Sequence, residues 1–314
     1  MSTQFWFTLC FPGLPLLALY FFCRKLAKAK QLAERPFHNT RRLPGHSLSQ
    51  RADKQWETFT GWLSTTIFAS IIPWLVFTLT GGDSITLPLL IGALTAPFCL
   101  WKMWLAYESL PNWWLGIRGE QYVGAELDSI RNDDLKVFHD VVITDPKGNW
   151  NIDHVIVSRA GIFAVETKTR RKKVDVSSPR HKLSFDGHKV NFPDGSYDTD
   201  SVKQAIRQAQ WLEKEAMNWS GGIAIPVTPL LTFPGWWVDI TGKGEVTVIN
   251  PKQIRSVVTG RPRVLDDRSW NILLKRFEAL TTVQLPEEVE NATSSPKRKK
   301  ELNNHNGAAG LPSQ

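Results

Sequence analysis

Asp153, Glu166 and Lys168 are the side chains of this sequence best suited to phosphate-ester chemistry. They lie in residues 151–173, NIDHVIVSRAGIFAVETKTRRKK. Two β-branched runs, 154–157 and 162–165, flank the turn-forming 158–161, which is the pattern of a β-hairpin. If Ser158 pairs with Gly161 across a two-residue connection, Asp153 lies directly across from Glu166. A three-residue loop with a glycine bulge would shift that pairing by one. Residues two apart on a strand share a face, so Glu166 and Lys168 point one way and Thr167 the other.

Carboxylates directly opposed on neighbouring strands sit about 4.5–5.5 Å apart and repel. A divalent cation is the economical way to hold them together. Mg²⁺ (or Mn²⁺) takes hard oxygen ligands and enters sites built from one or two carboxylates, phosphate and water. A lysine on the same face can orient an attacking water or offset charge on a phosphate in the transition state. Asp153 and Glu166 are therefore metal-ligand candidates, with Lys168 as the activating or charge-stabilising group. The competing reading of the same residues is a solvated strand end with one ion pair. Beyond Lys168 comes a basic run, Arg170, Arg171, Lys172 and Lys173, suited to holding a phosphate backbone without choosing a sequence.

Several elements must position these groups. Val123, Leu127 and Ile130 recur at helical spacing and predict an amphipathic helix opening at residues 116–127; on this pattern Glu120 and Glu126 are both solvated. A strand is expected over 137–144, ended by the turn Asp145-Pro-Lys-Gly148. Residues 174–198 read as short strands with Asp186-Gly187 and Asp194-Gly195 turns. A helix follows over about 200–217, with Val202, Ala205, Ile206, Ala209 and Leu212 as its apolar stripe. Gln204, Gln208 and Trp211 share a neighbouring face. If that face borders the site, Gln208 reaches a scissile phosphate or a nucleotide edge and Trp211 stacks; otherwise this is a plain helix surface. Strands at 225–233 and 245–249, a short helix at 251–258 and a final helix capped by Asp266 or Asp267 complete the domain.

The N-terminal third has a different character. Residues 5–23 are uncharged and long enough to cross a bilayer, as are about 56–79 and 85–105. No basic n-region precedes the first run and no A-x-A site follows it, against a cleaved signal peptide. The chain carries 14 tryptophans, and most of those in its first half sit beside the apolar runs, as at membrane interfaces. The 24–55 connection holds nine Lys and Arg, whereas Thr80–Ser84 holds none. The positive-inside bias then places that basic loop in the cytoplasm, the N-terminus outside and everything after about Leu105 inside. Membrane topology and attraction to anionic lipid account for the loop's charge ahead of nucleic-acid binding. The expected division is a three-span region over 1–107, a catalytic domain over 108–285 and a polar, basic tail over 286–314 that buries too little apolar surface to order itself.

The formal net charge of +8 favours anionic partners, nucleic acid or an acidic membrane face. The three cysteines, Cys10, Cys23 and Cys99, all fall in apolar segments, which excludes a thiolate zinc site in the domain and suits a reducing compartment. No histidine spacing for zinc, no G-x-S-x-G elbow and no phosphate-binding glycine loop is present. His154 reads as a structural strand residue. A channel or transporter is disfavoured, because Lys102 is the only ionisable residue deep in the spans.

Taken together, RGEQYVGAEL at 118–127, IDHVIVS and GIFAVETK in the hairpin, and QAIRQ at 204–208 resemble the NERD (nuclease-related) domain, a branch of the PD-(D/E)XK nuclease-like superfamily. The resemblance covers roughly 118–233. Where members often show Asn-Pro ahead of the helix glutamine, this chain has Asp200-Ser201. The resemblance implies an α/β fold with a PD-(D/E)XK nuclease-like mixed sheet flanked by helices, here preceded by a three-helix transmembrane region. It also implies that a first-helix glutamate, with Glu126 best matching the position, completes a metal shell with Asp153 and Glu166. The function expected is a multi-pass membrane nuclease of bacterial inner-membrane type that hydrolyses DNA with Mg²⁺. The alternative is a non-catalytic nucleic-acid-binding or regulatory module tethered to the membrane.

Overall fold

A computed structural model describes residues 41–81, 86–145, 148–172 and 181–282. The expected first span at 5–23, the basic residues 24–40, Lys173 and the 286–314 tail lie outside the described residues.

Helices α1 (His46–Leu79) and α2 (Thr86–Asp128) form an antiparallel pair. Gln55 donates to the Ala106 carbonyl at 3.0 Å, and Trp62 meets Phe98 edge-on at 5.9 Å. Trp56, Phe59, Trp62, Phe98, Tyr107 and Trp114 make a belt of ring contacts at the domain-proximal end. Both helices are long and apolar enough to cross a membrane. None of the apolar window of α1 is buried, and only 11% of that of α2, unlike the core helices of a soluble protein. About 20 residues suffice to span, so the C-terminal half of α2 is free to serve the domain.

Two boundaries differ from the sequence expectation. Residues 46–55 are helical rather than loop, and α2 runs unbroken through 107 and 116, with Pro97 and Pro111 inside it. The change from apolar to polar composition near 108 marks a change of surroundings, not the end of a helix, because Ala, Leu and Glu continue to favour it.

The domain holds a five-stranded sheet in the order β1-β2-β3-β7-β9. These are β1 (Leu135–Asp145), β2 (Gly148–Ser158), β3 (Gly161–Thr167), β7 (Val227–Thr232) and β9 (Thr247–Ile249). β1, β2 and β3 are antiparallel; β7 and β9 add on parallel. The β3-to-β7 crossover carries α3 (Asp200–Trp219) and the short strands β4 (Lys182–Phe185), β5 (Val190–Asn191) and β6 (Tyr197–Asp198). With β8 (Trp237–Ile240) these build a second, four-stranded sheet. The short α4 (Ile254–Val258) and the longer α5 (Asp267–Thr281, capped by Asp266) complete the fold.

One face of the main sheet packs Ala209, Leu212 and Ala216 of α3 and Leu273 and Phe277 of α5 against β1–β3. The other packs Val123 and Leu127 of α2 and Ile254 and Val258 of α4 against Ile156, Phe163 and Val165. Each fully buried Leu, Ile or Phe contributes about 1.5–3 kcal/mol, so α2 is as much a part of this core as any element of the domain. Residues 41–47 are fastened on as well: Arg42 N–H donates to the Thr281 carbonyl at 2.8 Å.

Candidate active site

The hairpin has the expected two-residue connection. Ser158 pairs with Gly161, and the register holds to His154↔Val165. There the ladder stops, one step short of Asp153 and Glu166. Asp153 Oδ2 instead accepts the Thr167 N–H at 2.8 Å, while Glu166 and Thr167 pair along β7. The strand ends splay, and the carboxylate of Asp153 fills the hydrogen-bonding place that the ladder leaves open.

A second break lies opposite. The β1–β2 register pairs His139 with His154 and Val141 with Ile152, omitting Asp140 and Asp153 between them. Asp140 has φ 49°, a left-handed conformation that aspartate tolerates better than most residues. Its effect is visible in the core: Phe138 and Val141, three apart, share the α3/α5 face, as do Ile152 and Val155. Both strands thus reverse their alternation at the paired aspartates. Asp140 is fully buried and well supplied with donors, from Arg42 Nη1 at 2.7 Å, Ser47 Oγ at 2.8 Å and Asn151 Nδ2 at 3.0 Å.

Glu166 is 2% exposed. Lys168 Nζ stands 2.6 Å from its Oε1, and Gln208 Nε2 donates to its Oε2 at 2.7 Å. Gln204 Oε1 accepts from Lys168 Nζ at 3.0 Å. Lys168 and Glu166 share a face as the strand pattern requires, and the α3 glutamines border the site.

The helix glutamate brought to this cluster is Glu120. It is 4% exposed, and its Oε2 is buried without a hydrogen-bond partner. Burial, followed by the charges of Asp140 and Glu166, pushes its pKa up to about 8. Glu126 is instead half-buried beside Tyr122, whose hydroxyl its charge pushes upward after burial. The helical period does not separate the two: Glu120 lies three residues before Val123, and Glu126 lies three after Val123 and four before Ile130. Reading both glutamates as solvated fails for Glu120, and tertiary packing rather than its spacing decides that. Gly119 allows the close approach, since a Cβ there would collide with Thr169 Cγ2.

Burial also raises the pKa of Asp153 well above its usual value, helped by Glu166 and Glu120 and opposed by the Thr167 N–H. Burial works against the Lys168 ammonium, but Glu166 and Asp153 overcome it and hold its pKa above the usual value. Acids that resist ionisation, gathered around one amine, indicate a site short of positive charge.

The described members of the basic run occupy different settings. Arg170 stacks on Phe192 and bonds to Asp194 and Ser196, so it braces the second sheet. Arg171 and Lys172 are exposed, Lys172 over the Trp236 ring. His154 is fully buried, its Nδ1 2.9 Å from Nδ1 of His139. Burial and then His139 hold its pKa well down, which fits a neutral structural histidine.

Beside the acids opens a cavity of about 610 Å³ between α1, β2 and α3. Trp150 and Trp211 meet edge-to-face at its wall, at 5.4 Å. Among the described residues, no three acidic, histidine or cysteine side chains already converge as a metal cage.

Residues 115–234 match the family model of the nuclease-related domain. No curated protein and no solved structure matches the chain. The matched segment contains Glu120, Asp140, Asp153, Glu166, Lys168 and Gln208, and the mixed α/β architecture around them fits a nuclease-like fold. Arg42, Ser47 and the first helix lie outside it.

Proposed function

We propose that this chain is a membrane-anchored, divalent-metal-dependent nuclease that hydrolyses DNA, with its domain on the cytoplasmic side. The observation that carries the reading is that Glu120, Asp153 and Glu166 are buried, each within electrostatic reach of the Lys168 ammonium, inside the segment that matches the nuclease-related domain.

The chemistry of the donors supports Mg²⁺ or Mn²⁺ as the ion. Glu120 Oε2 is a buried carboxylate oxygen without a partner, and the Thr167 N–H takes one oxygen of Asp153 and leaves the other. Hard oxygens on acidic groups that repel one another are what such ions bind. A bound ion would supply a more acidic water and a counter-charge for the phosphate. The chain's own groups do the rest. Lys168 faces the phosphate oxygens or the attacking water, Gln208 fixes the rotamer of Glu166, and Asp140 is held by Arg42 below the reacting layer. Water oxygen adds to phosphorus, the P–O ester bond breaks, and the leaving oxygen takes up a proton.

The membrane part of the proposal rests on two exposed apolar helices with an aromatic belt at their domain end, together with the basic residues around 24–55. A second reading, a non-catalytic binding module, is favoured by one contact: the Lys168 ammonium already neutralises Glu166 directly. The test is cleavage of a fluorescent DNA oligonucleotide by the full chain in detergent, with Mg²⁺, Mn²⁺ or EDTA. Metal-dependent product supports the nuclease. No product at any metal level, with salt-sensitive binding retained, supports the module.

A further inference from the structure

We infer that the cavity beside the acidic cluster is a nucleotide subsite. One unpaired base would lie against Trp150 and Trp211, with its phosphate between Arg51 and Arg207, so the substrate enters as a single strand. The inference rests on the proposed nuclease reading and names its substrate class.

Four observations carry it. First, the lining is cationic without compensation. Arg51 of α1 and Arg207 of α3 are exposed, and among the described residues they form no ion pair and no carboxylate lines the cavity with them. A pocket with two arginines and no acid selects an anion, and guanidinium groups match phosphate in a bidentate fashion. Second, the apolar side of the lining is aromatic. Trp150 and Trp211 are half-buried, anchored on the core by their edge-to-face contact, so neither rotates freely. Base stacking on such rings contributes about 1–3 kcal/mol per base and tolerates any sequence.

Third, the cavity shares its wall with the acids. Gln208 lines it and bonds to Glu166; Asn151 lines it and bonds to Asp140; Gln204 lines it and accepts from Lys168. A nucleotide held there puts its neighbouring phosphodiester against the cluster. Fourth, the size suits one nucleotide. About 610 Å³ is in the range of small-ligand pockets, and a base stacked within a duplex cannot turn its face to a tryptophan. An anionic lipid headgroup would use the arginines but has nothing to place on the rings, which makes single-stranded nucleic acid the better fit.

The test measures binding rather than cleavage, so that its failure and the failure of the nuclease reading are distinguishable. The full chain in detergent and EDTA is titrated with a labelled single strand of about 12 nucleotides and with the corresponding duplex, following anisotropy and tryptophan emission. The expected result is quenching by the single strand, with affinity lowered about tenfold by Trp211→Leu or Arg207→Ala while duplex affinity moves less than twofold. Arg207→Ala should also flatten the salt dependence by about 0.7 in the slope of log K against log salt. Arg207 is exposed, so its replacement keeps the test valid if Trp211→Leu does not fold. Single-strand affinity unchanged in Arg207→Ala and Arg51→Ala, duplex binding weakened equally, or quenching only by anionic lipid vesicles would each overturn the inference.

Discussion

Arg42 Nη1 lies 2.7 Å from Asp140 Oδ2, so the residue that leads into α1 is fastened to the strand break at the edge of the acidic cluster. The Asp140 carboxylate is fully buried and Arg42 is 19% exposed. Arg42→Ala leaves that charge with Ser47 and Asn151 alone. Breaking a buried pair on one side is worth about 3–5 kcal/mol, and the two remaining donors put the expected loss near the lower end. Thermal unfolding in detergent should show a Tm lower by roughly 6–12 °C. Adding Asp140→Asn to Arg42→Ala should recover most of it, because the charge left without a counter-ion is then gone.

Lys168 and Glu166 are joined by a 2.6 Å contact, but they should fail differently when removed. Glu166→Ala takes away a proposed metal ligand and a buried charge, and Mg²⁺-dependent cleavage should be abolished. Lys168→Ala removes stabilisation of developing charge, for which a loss of about 10²–10³ in kcat is typical. Gln208→Ala frees the Glu166 rotamer and should cost about 10–100-fold, as for other groups that orient a ligand. Single-turnover cleavage of one oligonucleotide by the three variants separates these outcomes. Equal rates in all three would remove the mechanism.

The raised pKa of Glu120 makes a stability prediction with a definite sign. Folded Glu120 holds its proton to about pH 8, while the unfolded group releases it near 4.5. Between those values the folded state binds more protons, so stability falls as pH rises through the window. Glu120→Gln cannot ionise and should escape that loss. Its Tm should exceed that of the parent at pH 8.5 by several degrees and match it below pH 4.5. Mg²⁺ should raise the Tm of the parent at pH 8.5 and leave Glu120→Gln less affected. A gain that is the same at both pH values would show that Glu120 titrates normally.

Much of this site could be read from spacing alone, and what escaped did so for specific reasons. The two-residue hairpin, the shared face of Glu166 and Lys168 and the apolar stripe of α3 follow from local periodicity, which tertiary contacts here reinforce. Glu120 is not separable from Glu126 by spacing, since both lie three or four residues from members of the inward stripe, and only the tertiary packing buries it. Asp140 was half recoverable: pairing Asp145 with Gly148 sets it opposite Asp153, but nothing local announces the left-handed backbone that turns it inward. Arg42 was not recoverable. Its partner is 98 residues away, and a basic residue ahead of an apolar helix is fully accounted for by membrane topology. The continuity of α2 through 107 is not legible in the sequence, because composition reports surroundings, and one helix can pass from one setting to another without interruption.

Membrane attachment makes its own prediction. If α1 and α2 span, the full chain should stay with the membrane through alkaline carbonate and come off with detergent. Protease added to inverted vesicles should cut the exposed 259–264 segment that follows α4, and intact cells should protect it. Release by carbonate would leave the two helices as a surface hairpin.

Gly119 supplies the sharpest test of how α2 serves the site. A methyl group there would occupy the space of Thr169 Cγ2, one residue past Lys168. Gly119→Ala must therefore push the helix, and Glu120 with it, away from the strand end, or push Thr169 and Lys168 aside. Overpacking of this kind costs about 1–3 kcal/mol, against which the better helix propensity of alanine returns about 1. Thr169→Ala removes the colliding methyl. The pair should then be strongly coupled: Gly119→Ala lowers both Tm and cleavage rate, Thr169→Ala alone does little, and the double variant regains both. Additive effects across that cycle would mean that the helix has slack at this point, and that Glu120 does not owe its position to the contact.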